Sequence, residues 1–250
     1  PRLDDADFEK VRQGALQELA SLQDQPTSRL MEALAAAMFE SGHGRSAYGT
    51  AEGLAAVTPD SVRNDRAARF GAEGSILAVA GGIGWDELRS LVNDSFGRWG
   101  GTASANVEPV FRPVTRQHVP ADTAQVQIGI GFTALAPDHA DWQLQSLAIG
   151  VLSGGMGARL FSEVREKRGL VYSVGAAARA VRGAGYILGY AGTTPQKADE
   201  TLEVMLAEFR RLSAGVSAEE LERARQGKLT RLIMQGESSS ARASGLAADL

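Results

Sequence analysis

The stretch that decides the fold runs from Gly154 to Val174 and reads GGMGARLFSEVREKRGLVYSV. Three glycines at its start predict a tight turn, and residues 158–167 then predict a helix. Leucine, phenylalanine and valine at positions 160, 161 and 164 supply the apolar stripe of that helix. Gly169 suits the left-handed cap that ends a helix, and the residues after it predict a strand.

Two polar side chains flank this glycine stop. Arg165 lies in the last turn of the predicted helix, and Tyr172 lies early in the strand, seven residues on. A helix that stops and folds back can bring the two together, and a guanidinium and a phenol are donors suited to a carbonyl oxygen or a developing oxyanion. The alternative is that Arg165 complements the helix C-terminus and Tyr172 fills the strand. Spacing alone leaves both interpretations open.

The rest of the chain alternates helical and strand patterns. Apolar spacing, N-caps and prolines predict helices at residues 4–23, 26–39, from 58 onward, 85–96, 139–152, 195–212 and after a capping box at 217–220. Alternating apolar residues predict strands at 75–80 and 124–133 and a hairpin of 171–178 with 185–191. Antiparallel strands beside paired helices indicate the α+β class.

The sequence contains an internal repeat. Residues 8–19 (FEKVRQGALQEL) parallel residues 221–232 (LERARQGKLTRL), and the match continues at a constant offset, without a gap, to Ala35 and Ala248. Both copies share Arg-Gln-Gly, and a glycine inside a helix costs about 1 kcal/mol relative to alanine. Chance similarity of two amphipathic helices is therefore the weaker interpretation. The repeat predicts tandem homologous domains.

The repeat and the composition together predict the domain organisation. Residues 105–113, in a stretch rich in small residues and proline, form the predicted linker. Residues 1–104 are then the rear part of a first domain, and residues 114–250 are a second domain without its C-terminal end. Each domain is expected to be an antiparallel-rich mixed sheet packed with helices, and both are incomplete. The chain is therefore interpreted as a fragment.

Composition excludes several classes of function. The 250 residues carry a net charge of −4, which gives no electrostatic footprint for nucleic acid, and no apolar run approaches the ~20 residues that span a bilayer. The chain has no cysteine, and His43, His118 and His139 have no second histidine or glutamate at helical ligand spacing. The glycine turn at 154–157 lacks the lysine of a phosphate-binding loop, so a tight turn is favoured over an anion site.

The stretch 154–174 resembles the second domain of bacterial two-domain members of a zinc metallopeptidase superfamily. That superfamily includes insulinase, pitrilysin and the mitochondrial processing peptidase, and its catalytic members carry an inverted His-x-x-Glu-His motif. Family-like features extend from about residue 8 to 250, including His43-Gly44-Arg45 followed by Tyr48-Gly49-Thr50. The resemblance implies tandem α+β domains that enclose a peptide-holding chamber.

The resemblance also implies roles for three residues. Arg165 and Tyr172 match a pair that a partner subunit contributes to a zinc site, where they bind the substrate carbonyl and stabilise the tetrahedral intermediate. An edge strand would extend the bound peptide by β-augmentation. Glu18 matches the distant glutamate that completes the zinc site, whereas Val11 departs from the family pattern where a second glutamate is expected. The repeat sets Arg231 opposite Glu18, so the helix itself does not demand a carboxylate there.

The sequence contains no His-x-x-Glu-His. We therefore interpret the chain as a fragment of a zinc-dependent endopeptidase subunit, or of its partner subunit, that is inactive alone. Zn²⁺ is expected in the complete enzyme and not bound to this chain. The expected partners are a peptide substrate and a second peptidase-family subunit in a homo- or heterodimer, with no nucleic acid and no membrane span.

A second interpretation has the same fold and a different role. The chain would then belong to a non-catalytic structural or assembly subunit, as in the core proteins of some respiratory complexes. Family habit favours a periplasmic location, with the cytoplasm as the alternative.

Overall fold

The computed structural model describes residues 3–102, 107–113 and 115–248. Within them the helices are α1 (Asp5–Gln23), α2 (Pro26–Met38), α3 (Ala51–Ala56), α4 (Pro59–Arg69), α5 (Trp85–Phe96), α6 (Trp142–Ser153), α7 (Ala198–Ser213), α8 (Ala218–Gly236) and α9 (Ser239–Ala248). The strands are β1 (Phe39–Glu40), β2 (Val110–Phe111), β3 (Val126–Ala134), β4 (Val171–Val181) and β5 (Ala184–Thr193). Short 3₁₀ turns span Ser41–Gly44 and Pro195–Lys197, and a π-helix spans Phe161–Glu166. No helix among the described residues is both long and apolar enough to cross a membrane.

The chain forms two compact units. Unit 1 takes its described residues from the segments 1–16, 51–106 and 230–250, and unit 2 takes them from 17–50 and 107–229. Both units are discontinuous in sequence, whereas the predicted division at residues 105–113 follows chain order. That division remains a prediction.

Part of the predicted linker carries structure. Residues 103–106 and 114, where the predicted domain boundaries fall, lie outside the described residues. Between them, β2 pairs antiparallel with β1, so that Phe111 lies opposite Phe39 and Val110 opposite Glu40. The Phe39 and Phe111 rings lie 4.9 Å apart between centroids, which packs this short pair together.

The sheet of unit 2 has three strands in the order β3-β5-β4, and both neighbouring pairs are antiparallel. The predicted hairpin is formed by β4 and β5 and turns at Arg182 and Gly183. Their φ angles of 42° and 80° are those of the left-handed pair that a two-residue hairpin turn requires. The sheet and its helices confirm the predicted α+β class.

A hydrophobic core holds unit 2 together. The sheet packs with α6, the π-helix and α7, and the buried members of the core are Ile130, Ile149, Leu152, Leu160, Val164, Leu170, Val171, Ala191 and Met205. Helix α2 also contacts β3, where a Cβ at Gly129 or Gly131 would meet the side chains of Leu30 and Met38. These two glycines therefore allow the close approach of α2 to the strand.

Unit 1 buries fewer hydrophobic side chains than unit 2. Every described hydrophobic residue that is buried belongs to unit 2, whereas Ile76 is 54% exposed and Trp85 is 71% exposed. The predicted strand at residues 75–80 is wrong, because these residues lie in no strand. A strand needs a hydrogen-bonding neighbour, and the described part of unit 1 offers only an isolated bridge between Glu73 and Thr102.

The internal repeat reappears in the helices. α1 and α8 each have 19 residues, and the bounds of α1, shifted by the offset of the repeat, are those of α8. α2 begins at Pro26 and α9 begins at Ser239, which is the same offset. Within α1 the chain passes from unit 1 to unit 2 after Leu16, and within α8 it passes from unit 2 back to unit 1 after Leu229. These two positions are equivalent in the repeat. The structure thus supports duplication of this helix pair.

We expect Gly14→Ala and Gly227→Ala each to raise the free energy of unfolding by about 0.5–1 kcal/mol. Both glycines lie inside helices, and a Cβ at either position would meet no atom within 4 Å. Urea unfolding followed by far-ultraviolet circular dichroism measures the change. Gly185→Ala is the control, because its Cβ would overlap the backbone oxygen of Leu135, and it should destabilise the fold by more than about 2 kcal/mol. If Gly14→Ala and Gly227→Ala instead lowered the free energy of unfolding, the conclusion that a Cβ fits without a clash at both positions would be wrong.

Candidate functional site

Arg165 lies on a widened helical turn. The predicted helix at 158–167 passes into the π-helix, in which the Lys167 N–H donates to the Ser162 carbonyl at 3.0 Å, five residues back. π-turns are uncommon and occur often at functional sites. Arg165 is exposed, and its guanidinium carbon lies 5.0 Å from the centroid of the Phe161 ring, whereas the preceding Val164 is fully buried.

Tyr172 lies on a β-bulge. Val171 pairs with Thr193 and Ser173 pairs with Gly192, so Tyr172 is an extra residue of β4 without a partner in β5. A bulge re-aims the side chain of the residue it inserts. The Tyr172 side chain is 62% exposed although the preceding Val171 is buried in the core.

A fixed turn connects the two residues. Gly169 has a φ of 57°, as predicted for the cap, and its N–H donates to the Arg165 carbonyl at 3.0 Å. The Leu170 N–H donates to the Val164 carbonyl at 3.0 Å. Within the described part of the chain, neither Arg165 nor Tyr172 makes a side-chain hydrogen bond or an ion pair, and no cation–π contact joins the two. Both groups of donors therefore remain available to a ligand.

The cations next to Arg165 are already paired. Glu163 accepts from Lys167 at 2.7 Å and from Arg168 at 2.9 Å, and these bonds hold the pKa of its carboxyl below the ordinary value. Lys167 and Arg168 thus serve to fasten the turn. Arg165 differs from them because its guanidinium stacks on a ring instead of meeting a carboxylate.

A buried ion pair holds the segment that precedes the π-helix. Arg159 Nε donates to Glu220 Oε1 at 2.6 Å, and Nη2 donates to Oε2 at 2.8 Å and to the Gly215 carbonyl at 3.0 Å. The Arg159 side chain is 6% exposed, and its Nη1 has no hydrogen-bond partner within the described structure. The bidentate geometry is the strong form of this contact.

Glu220 also closes the predicted capping box of α8. Its Oε2 accepts from the Ser217 N–H at 2.8 Å, and its own N–H donates to Ser217 Oγ at 3.2 Å. Arg159 and Ser217 together lower the pKa of Glu220 to about 2. The sequence pattern reveals the capping box, but no local signal links it to an arginine so far away along the chain.

The described residues do not assemble a zinc site. Glu18, which the resemblance implies as a ligand, lies exposed on α1. In residues 3–102, 107–113 and 115–248, no group of three or more histidine, cysteine or acidic side chains could hold a metal ion. His139 instead accepts the Asp141 N–H at 3.0 Å beside α6, and the Nδ1 of His43 is buried without a partner in this part of the chain. The role of Glu18 remains a prediction.

Comparison with known proteins places this geometry in context. A family model described as peptidase M16 inactive domain matches residues 56–228. A Mycobacterium tuberculosis protein named as an uncharacterized zinc protease is 30% identical over 210 residues, which cover 79% of this chain and 47% of that protein. The chain spans about half the length of the curated relatives it matches.

Solved structures share the fold. The structure of a peptidase M16 inactive domain from Pseudomonas fluorescens matches 99% of this chain and 60% of its own, with a TM-score of 0.89 and 21% identity. A chain of complex III2 from Candida albicans matches over 95% of this chain and 60% of its own, with a TM-score of 0.79 and 18% identity. At these identities the likeness concerns the fold alone.

We expect Glu220→Gln to lower the free energy of unfolding by about 2 kcal/mol at neutral pH. The carboxyl has a pKa of about 2 in the folded chain, against 4.5 as its ordinary value. Because the folded value is the lower one, the stabilisation is present above about pH 4.5 and is lost as the pH falls toward 2. The difference between the parent and the variant should therefore shrink over that range in urea unfolding.

Glu222→Gln is the matched control for this pH series. The pKa of Glu222 is also about 2, because Arg225 and Gln226 bond to its carboxylate, but the side chain is 53% exposed. Salt should screen its contribution and leave that of Glu220 largely unchanged. An equal stability difference for Glu220→Gln at pH 2 and pH 7 would contradict the assignment.

Proposed function

The chain belongs to the peptidase M16 inactive domain family, and from that membership we propose that it forms the non-catalytic part of a zinc protease that hydrolyses peptides in an enclosed chamber. In this proposal Arg165 and Tyr172 bind the carbonyl oxygen of the peptide and stabilise the tetrahedral intermediate. The family membership confirms the resemblance drawn from residues 154–174.

One observation carries the proposal. The arginine and the tyrosine stand on two separate irregularities of the backbone, a π-turn and a β-bulge, and both side chains are exposed beside buried neighbours. Such irregularities cost stability in a helix or strand that serves packing alone. An undistorted strand would give Tyr172 a partner in β5, so the bulge supports a role for its side chain outside the sheet.

The chemistry of the two groups fits an oxyanion. A guanidinium keeps its charge at any physiological pH, and a phenol donates one further hydrogen bond. Donors aimed at the position of a developing oxyanion are worth about 10²–10³ in kcat each. Among the residues that the structure describes, no group fits a zinc ion, so the contribution of Arg165 and Tyr172 in this proposal is hydrogen bonding and charge.

The proposed assembly contains a second subunit. In this proposal Arg165 and Tyr172 face a His-x-x-Glu-His motif that lies either in the parent protein or in a second peptidase-family subunit, in a homo- or heterodimer that binds a peptide. A peptide could extend an edge strand within the chamber by main-chain hydrogen bonds. A periplasmic location is part of the same proposal and comes from family habit.

A non-catalytic structural subunit is the second candidate. A chain of complex III2 from Candida albicans has a similar fold, so this fold also occurs within a protein complex. This candidate assigns no chemical role to Arg165 or Tyr172. Substitution of either residue would then leave peptide hydrolysis by the assembly unchanged.

We expect Arg165→Ala and Tyr172→Phe each to lower kcat of the assembled protease by about 10²–10³ on an unstructured peptide. Each variant removes donors to the oxyanion, and neither side chain packs in the core, so Tm should hardly change. The chain is assayed in its parent protein or with a subunit that carries His-x-x-Glu-His.

Arg210→Ala and Tyr190→Phe are the matched controls. Arg210 is an exposed arginine on α7, and Tyr190 is a half-buried tyrosine on β5 away from the bulge. Both should stay within roughly twofold of the parent, as surface changes away from a site usually do. Unchanged turnover in Arg165→Ala and Tyr172→Phe would defeat the proposal and favour the structural subunit.

A further inference from the structure

The turn between Arg165 and Tyr172 is fastened from outside through two main-chain carbonyls. The Gly169 carbonyl accepts from Lys197 Nζ at 2.8 Å, and the Leu170 carbonyl accepts from Thr193 Oγ1 at 2.6 Å. Thr193 ends β5, and Lys197 lies in the 3₁₀ turn that leads into α7. The two side chains therefore join this turn to a different part of unit 2.

The Thr193 bond is buried and well supported. Thr193 and Thr201 are both fully buried, and their hydroxyls lie 3.3 Å apart. Thr201 Oγ1 donates to the Lys197 carbonyl at 2.7 Å, which leaves Thr193 to donate to Leu170. A buried hydroxyl without its partner is unfavourable, so this arrangement holds the Leu170 carbonyl in one position.

Thr193 also marks where the bulge begins. It is the pairing partner of Val171, and the next pair along the strands is Ser173 with Gly192. Thr193 therefore pairs with Val171, the residue before Tyr172, and its hydroxyl also donates to the carbonyl of Leu170, the residue before Val171. The position of the extra residue in β4 depends on this anchor.

We propose that Thr193 and Lys197 are positioning residues, which fix the separation and direction of Arg165 and Tyr172 by holding the carbonyls of Gly169 and Leu170. This inference rests on the proposed function of the two donors. Two groups that bind one oxygen must keep their relative geometry, and a displacement of about 1 Å can cost 10²-fold in rate. Neither Thr193 nor Lys197 touches the peptide in this scheme.

The test compares Thr193→Val, Thr193→Ser and, as the control, Ser153→Ala in the assembled protease. Valine has the shape of threonine without the hydroxyl, so Thr193→Val should lower kcat by about 10–100-fold. Thr193→Ser keeps the hydroxyl and should restore kcat to within roughly twofold of the parent. Ser153→Ala removes a hydroxyl that accepts from the Ala176 N–H on β4 at 2.8 Å and bonds neither the turn nor its anchors. It should lower Tm and leave kcat near the parent value.

Two further measurements separate positioning from general damage. In a Tyr172→Phe background, Thr193→Val should cause little additional loss of kcat, because the two changes act on one interaction. In the full chain, amide hydrogen exchange of residues 168–173 should accelerate in Thr193→Val and not in Ser153→Ala.

Each result decides a separate question. Three results would overturn the positioning role: parent-like kcat in Thr193→Val, an equal loss of kcat in Ser153→Ala, or unchanged exchange at residues 168–173 in Thr193→Val. If Arg165→Ala and Tyr172→Phe are themselves silent, the proposed function fails and the positioning role falls with it. If those two variants are impaired and Thr193→Val is not, only the positioning role fails.

Discussion

The local structure depends on one packing constraint: Val164 and Leu170 must be buried in the same core although a helix end and a turn separate them. The Leu170 N–H reaches the Val164 carbonyl, and Gly169 supplies the left-handed residue that makes this return possible. With both anchors inside, residues 165–169 between them are exposed, and Arg165 is one of these. Tyr172 is exposed because it is the bulged residue of β4, next to the buried Val171.

The cations near the turn differ in their partners, because Lys167 and Arg168 are ion-paired and Arg165 is not. Glu163 binds Lys167 and Arg168, and the Arg159–Glu220 pair ties the start of α8 to the segment ahead of the π-helix. Loss of Glu220 would leave the buried Arg159 guanidinium without its counterion, so this pair holds both residues in place. Arg165 takes no part in these pairs, and its guanidinium stacks on the Phe161 ring.

Features that depend on neighbouring residues could be predicted from the sequence, whereas features that depend on residues far apart in the chain could not. The glycine cap, the hairpin turn and the capping box at Ser217 follow from residue types within a few positions of one another, and the structure has all three. The bulge at Tyr172 depends on the register of β4 against β5, a strand further along the chain. The partner of Arg159 is likewise distant in sequence. The strand predicted at 75–80 shows the converse, since an apolar run forms a strand only where a neighbour is present.

The uneven distribution of buried side chains has a consequence for the cooperativity of the chain. Unit 2 contains the buried hydrophobic residues of the described structure, whereas unit 1 exposes side chains such as Phe70 and Trp85. Opening free energies in a protein range from near zero to the global value, and they follow the density of buried apolar contacts. We therefore expect unit 1 to open at a lower free energy than unit 2, so that a variant reports on the unit in which its residue lies.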